Sequence, residues 1–63
     1  MTDEIKEIAG VRLVPRRRLA KDLGRTEKTL IRWELGHKGP QPTRVGRDVY
    51  YEESAISRWL AKA

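Results

Sequence analysis

Residues 16–34, RRRLAKDLGRTEKTLIRWE, read as two short helices joined at Gly24. Leu19, Ala20 and Leu23 recur at i, i+1 and i+4, which is one face of a helix. Gly24 has no Cβ, so it takes the left-handed conformation that ends a helix without steric cost. Thr26 suits the cap of the next helix, because its hydroxyl accepts a hydrogen bond from an otherwise unpaired N–H. Leu30 and Trp33 stand three apart and are expected to pack back against Leu19 and Leu23. The opposite face then carries Lys28, Ile31 and Arg32. A basic face on the second helix of a tight pair is what a helix-turn-helix brings to a DNA major groove. Two core helices of a small bundle, with a solvated basic face, would show the same periodicity.

The rest of the chain is short. Sixty-three residues make one domain, and a chain of this size buries only about 60% of the surface that it exposes when unfolded. No catalytic cavity between domains is expected. Nor do an acid pair, a nucleophile–base set or a metal constellation stand out, so the sequence does not read as an enzyme and implies no cofactor. There is no cysteine, which removes disulfides and thiolate zinc sites and fits a reducing cytoplasm. No apolar run follows Met1 as in a signal peptide, and none is long enough to span a membrane.

The net charge of +5 is unevenly placed. Residues 1–10 set Lys6 against Asp3, Glu4 and Glu7. Residues 11–49 hold eleven Lys and Arg against four Asp and Glu, a surplus of seven. Residues 50–63 balance. Such a concentration of cations attracts polyanions, either nucleic acid or an anionic membrane surface. Membrane binding would need large apolar residues opposite the cations. Here those residues are wanted for the core, which favours nucleic acid.

Outward from the helix pair, residues 1–10 are polar and read as a mobile arm, with Ile5 and Ile8 enough for one amphipathic turn at most. Val11–Val14 is a β-prone run. Pro15 suits a first helical turn, so the first helix is expected from about Pro15 to Leu23. Arg16, Arg17 and Arg18 crowd the positive end of its dipole, which a bound anion would relieve and which solvent can also accommodate. The second helix is expected from Glu27 to about Leu35, ended by Gly36, Gly39, Pro40 and Pro42. His37, the one histidine, lies in this loop without co-ligands. TRVGRDVYY, residues 43–51, reads as a hairpin with a three-residue loop, Gly46–Arg47–Asp48. That loop pairs Val45 with Val49 and gathers Thr43, Val45, Val49 and Tyr51 on one face. A two-residue turn would instead set Val45 beside Asp48. From Glu52 to Ala63 a last helix carries Ala55, Ile56, Trp59 and Leu60 as one apolar stripe. Trp59 reads there as a core anchor rather than a base-stacking platform.

Taken together, LAKDLGRTEKTLIRW, the PQP that follows it, and TRVGRDVYYEESAISRWL resemble the excisionase family. These are the recombination directionality factors of phages and mobile elements. The resemblance covers roughly residues 12–60. It implies a small α+β winged helix-turn-helix over residues 11–63: a short strand, two helices, a two-stranded wing and a C-terminal helix. The same fold resembles the DNA-binding half of MerR-type regulators, small phage transcriptional activators and the N-terminal domain of phage small terminase subunits. The family places its second helix in the major groove and its wing in the adjacent minor groove. By position this assigns Lys28 and Arg32 to base edges, Arg25 and Thr29 to nearby phosphates, and Arg44 and Arg47 to the wing. Arg16 and Arg17 join them as phosphate contacts from the crowded first helix. Lys28 and Arg32 are i, i+4 and so point the same way, and arginine can grip guanine O6 and N7 with two hydrogen bonds. Glu27, an acid on this helix, reads as a partner of the helix dipole.

The implied role is architectural. Copies of the domain would bind side by side on attachment-site DNA in the bacterial host cytoplasm, bend it, and steer an integrase toward excision. A transcriptional regulator on the same domain is the alternative. The sequence shows neither the long dimerisation helix of MerR-type regulators nor the large C-terminal region of terminase subunits, so a monomer that assembles on DNA is expected. A protein-interaction adaptor would call for a large exposed apolar patch, and none is legible in the sequence.

Overall fold

A computed structural model describes residues 4–62. In chain order the elements are β1 (Lys6–Ile8), β2 (Val11–Pro15), α1 (Arg16–Leu23), α2 (Glu27–Gly36), β3 (Pro42–Val45), β4 (Asp48–Glu52) and α3 (Glu53–Lys62). The strands form one antiparallel sheet in the order β1-β2-β4-β3. The described residues thus form a small α+β domain of four strands and three helices.

The helix pair forms for the reasons its sequence suggests. Gly24 ends α1 at φ 69°. The N–H groups of Gly24 and Arg25 close onto the carbonyls of Lys21 and Ala20 at 3.2 and 2.8 Å, the two-bond cap that satisfies a helix's last acceptors. Thr26 caps α2 by accepting from the Thr29 N–H at 3.2 Å. α2 runs to Gly36, and its left-handed cap is His37 at φ 54°, not a glycine. Pro15 ends β2 and serves as the N-cap residue of α1, so that helix begins one residue later than expected.

Val14, Leu19, Ala20, Leu30 and Tyr51 make the buried centre, with Ile5, Leu23, Trp33 and Ile56 packed against it. The expected packing of Leu30 and Trp33 against the first helix is therefore present. Trp33 and Trp59 meet with ring centroids 5.4 Å apart, tilted by 44°. Between them the α2–β3 connection is fixed twice. The Trp59 indole N–H donates to the Lys38 carbonyl at 2.9 Å, and Gly39 lies so close to Trp33 that a Cβ would stand 2.9 Å from its ring. In α3, Ala55, Ile56 and Trp59 are half-buried but Leu60 is 52% exposed, so the apolar stripe ends before it.

Two expectations toward the ends of the chain are corrected. Glu52 closes β4 instead of opening the last helix. The arm reading fails over residues 6–8, which pair with β2 through Lys6↔Leu13, Glu7↔Arg12 and Ile8↔Val11. Residues 1–3 of that arm, and Ala63, lie outside the described residues. The two-residue turn is Ala9–Gly10, with φ 53° and 80°, both left-handed as the tightest hairpins require. Alanine is an unfavourable residue for that conformation, so the sequence carries no strong turn signal there.

The wing hairpin is also one residue tighter than expected. Val45 pairs with Asp48 and Arg44 with Val49, leaving Gly46–Arg47 as the turn. Gly46 has φ 62° while Arg47 stays at negative φ, the pattern of a two-residue turn with glycine first. The slip exchanges the faces. Arg44, Val49 and Tyr51 share one face, and Val45 joins Asp48 and Tyr50 on the other. Val45 is 38% exposed, so setting it beside a charge has little cost. The reversal instead delivers Arg44 to the side where Tyr51 is buried.

Candidate nucleic-acid interface

α1, α2 and the β3–β4 hairpin border a single groove. Its walls include Arg17 at the start of α1, Glu27 and Ile31 on α2, Arg47 and Asp48 at the hairpin, and Lys6 on β1. Ile31 is 42% exposed, so the outer face of α2 is the one that looks into this groove. Lys28 and Arg32 follow Glu27 and Ile31 by one position each and are exposed beside them. Arg25, in the turn before α2, is exposed as well. Among the described residues, Arg25, Lys28, Arg32 and Arg47 enter no ion pair.

The other residues nominated from the sequence have internal partners. Arg16 is 13% exposed at its side chain. It donates Nη2 to Glu34 Oε1 and Nε to the Tyr51 hydroxyl, the latter at 3.1 Å. Burial opposes its charge, but the bonds to Tyr51 and Glu34 outweigh this and hold its pKa above the usual guanidinium value. Arg44 donates Nη2 to Glu34 Oε2 at 2.6 Å while its side chain stays 61% exposed. Thr29 is half-buried, and its hydroxyl lies 3.0 Å from that of Thr26, within the cap. Arg18 pairs with Asp22 one turn along α1 at 3.1 Å, which draws one of the three crowded cations away from the helix start.

Glu34 is the residue that sequence reading misses. It takes Arg16 on one oxygen and Arg44 on the other. The hydrogen bond from Arg16 is the main reason its carboxyl sits below the usual value of 4.5; burial opposes the shift, and the charges of Arg44 and Arg16 add to it. Its partners are 18 and 10 residues away, beyond any helical periodicity. Lys6 is likewise hidden in a segment that reads as an arm. It lies over the Tyr50 ring at 5.6 Å, and hydrogen bonding to the Tyr50 hydroxyl raises its pKa.

No cluster of three or more His, Cys, Asp or Glu residues able to hold a metal occurs among the described residues. No described helix is long and apolar enough to cross a membrane. Comparison with protein families, curated proteins and solved structures finds no match to this chain.

Proposed function

We propose that this chain binds double-stranded DNA as a winged helix-turn-helix, with α2 in the major groove and the β3–β4 hairpin as the wing. The observation that carries this reading is the shared groove. Glu27 and Ile31 of α2, Arg47 and Asp48 of the hairpin, and Arg16 and Arg17 of α1 line one concavity, and Lys28 and Arg32 are exposed one position beyond Glu27 and Ile31 on α2. Paired side by side, a helix and a tight basic loop suit the adjacent grooves of a duplex. The DNA-facing set is then Arg17, Arg25, Lys28, Arg32, Arg44 and Arg47. Arg16 and Thr29 serve the fold, the first through Glu34 and Tyr51 and the second through the α2 cap.

The role we propose is that of an excisionase-like architectural factor, resting on the resemblance of residues 12–60. Adjacent copies would line up on attachment-site DNA, bend it, and engage an integrase. Glu4 and Glu7 are exposed and available to meet a neighbouring copy, whereas Glu53 is engaged by Arg12 at 3.0 Å. Asp3, the third acid suited to such contacts, lies outside the described residues. Electrophoretic titration of attachment-site DNA, with one site or several and with or without the integrase, tests the role. Cooperative binding to repeated sites and a supershift with integrase are expected. Equal affinity per site, with no integrase effect, would favour an isolated-site transcriptional regulator.

A further inference from the structure

We infer that Glu34 is a positioning residue that locks the wing to the helix pair and aims Arg44 at the DNA backbone. The inference rests on the DNA-binding reading above and goes beyond it, since Glu34 is an acid that itself would repel phosphate. Three elements converge on one carboxylate. Glu34 stands in the last part of α2, Arg16 opens α1, and Arg44 lies in β3. Each Glu34 oxygen accepts from a different arginine, and Arg16 is in turn fixed by Tyr51 of β4. The wing's own turn, Gly46–Arg47, is exposed. The Arg44–Glu34 salt bridge ties its strand, β3, directly to α2.

The chemistry of the guanidinium explains how one link both holds and aims. Arginine carries five N–H donors in a rigid fork. Arg44 gives Nη2 to Glu34 and, at 61% exposure, keeps donors available for a phosphate oxygen. A guanidinium already held in plane loses less freedom when the phosphate arrives. Glu34 also offsets one of the two arginine charges it joins, the half-buried Arg16 and the exposed Arg44. The spacing between Arg47 at the wing tip and Arg32 on α2 is then fixed before DNA binds.

The first test uses the wild-type protein without DNA. The Glu34 carboxyl is followed by carbon-detected NMR through an acid titration, together with the backbone amides of residues 44–47. The groups facing Glu34 are Arg16, Arg44 and, through Arg16, Tyr51. Glu34 should titrate below 4.5, and the wing amides should shift with the same midpoint. An ordinary midpoint, or wing amides that ignore it, overturns the inference whether or not the protein binds DNA. The second test is a cycle of Glu34→Gln and Arg47→Ala in DNA affinity. Glutamine leaves Arg16 an acceptor. The loss caused by Arg47→Ala should shrink by about three-fold or more in the Glu34→Gln background, as for residues that share one network. Strictly additive losses contradict the positioning role, while failure of the wild type to bind any duplex contradicts the DNA-binding reading and leaves the NMR result to decide the inference.

Discussion

Arg32→Ala is expected to cost about 1–3 kcal/mol of specific binding and to relax preference at one base pair, with Lys28→Ala acting the same way more weakly. Unchanged affinity and sequence preference in Arg32→Ala would remove α2 from the groove. At Glu34 the expectation concerns pH. Its pKa is lowered in the folded state, so its contribution to stability is fully present above the ordinary value of 4.5 and is lost as pH falls through the lower folded value. Denaturant unfolding between neutral and acidic pH should show a steeper decline in wild type than in Glu34→Gln. Parallel curves would mean that the carboxylate contributes no pH-linked stability. Arg32 and Glu34 differ in how far the sequence reveals them. Thr26, Gly24 and the Lys28–Arg32 face are legible because capping and helical spacing act within four residues. Glu34 is not, because it is defined by Arg16 and Arg44, which only the folded chain brings to it.

Among the elements, the two hairpins set the limits of sequence reading. Hydrophobic alternation in TRVGRDVYY favours pairing Val45 with Val49, yet turn geometry favours Gly46 at positive φ and a two-residue loop. Turn geometry prevails because the hairpin end is exposed and Val45 gains little from burial. The β1–β2 hairpin is illegible for the opposite reason, since Ala9 does not advertise a turn. That residue offers a measurement. Ala9 sits at φ 53°, where an L-residue with a Cβ is strained by roughly 1–2 kcal/mol. Ala9→Asn, which restores a favoured turn pair with Gly10, should raise stability by about 1 kcal/mol in chemical unfolding. No gain, or a loss, would place the strain elsewhere. For the wing and α1, Arg47→Ala and Arg17→Ala should weaken binding to specific and random DNA alike. Each should lower the slope of log affinity against log salt by about 0.9 for every phosphate the arginine neutralises. Slopes equal to wild type would remove both from the phosphate contacts.

At the scale of the whole molecule, the surplus of positive charge and the shared groove point the same way. Asp22 sits beside Arg18, and Glu34 beside Arg16 and Arg44, so the acids near Lys28, Arg32 and Arg47 are Glu27 and Asp48. The most direct test is an amide NMR titration of the protein with a short random-sequence duplex at low salt, where binding of about 10⁻⁴–10⁻⁶ M is typical of sequence-independent contacts. Shifts should concentrate on residues 25–35 and 44–48 and spare the β1–β2 turn and the outer face of α3. Saturating duplex that shifts none of these, or shifts centred on α3, would contradict a DNA-binding role for α2 and the wing.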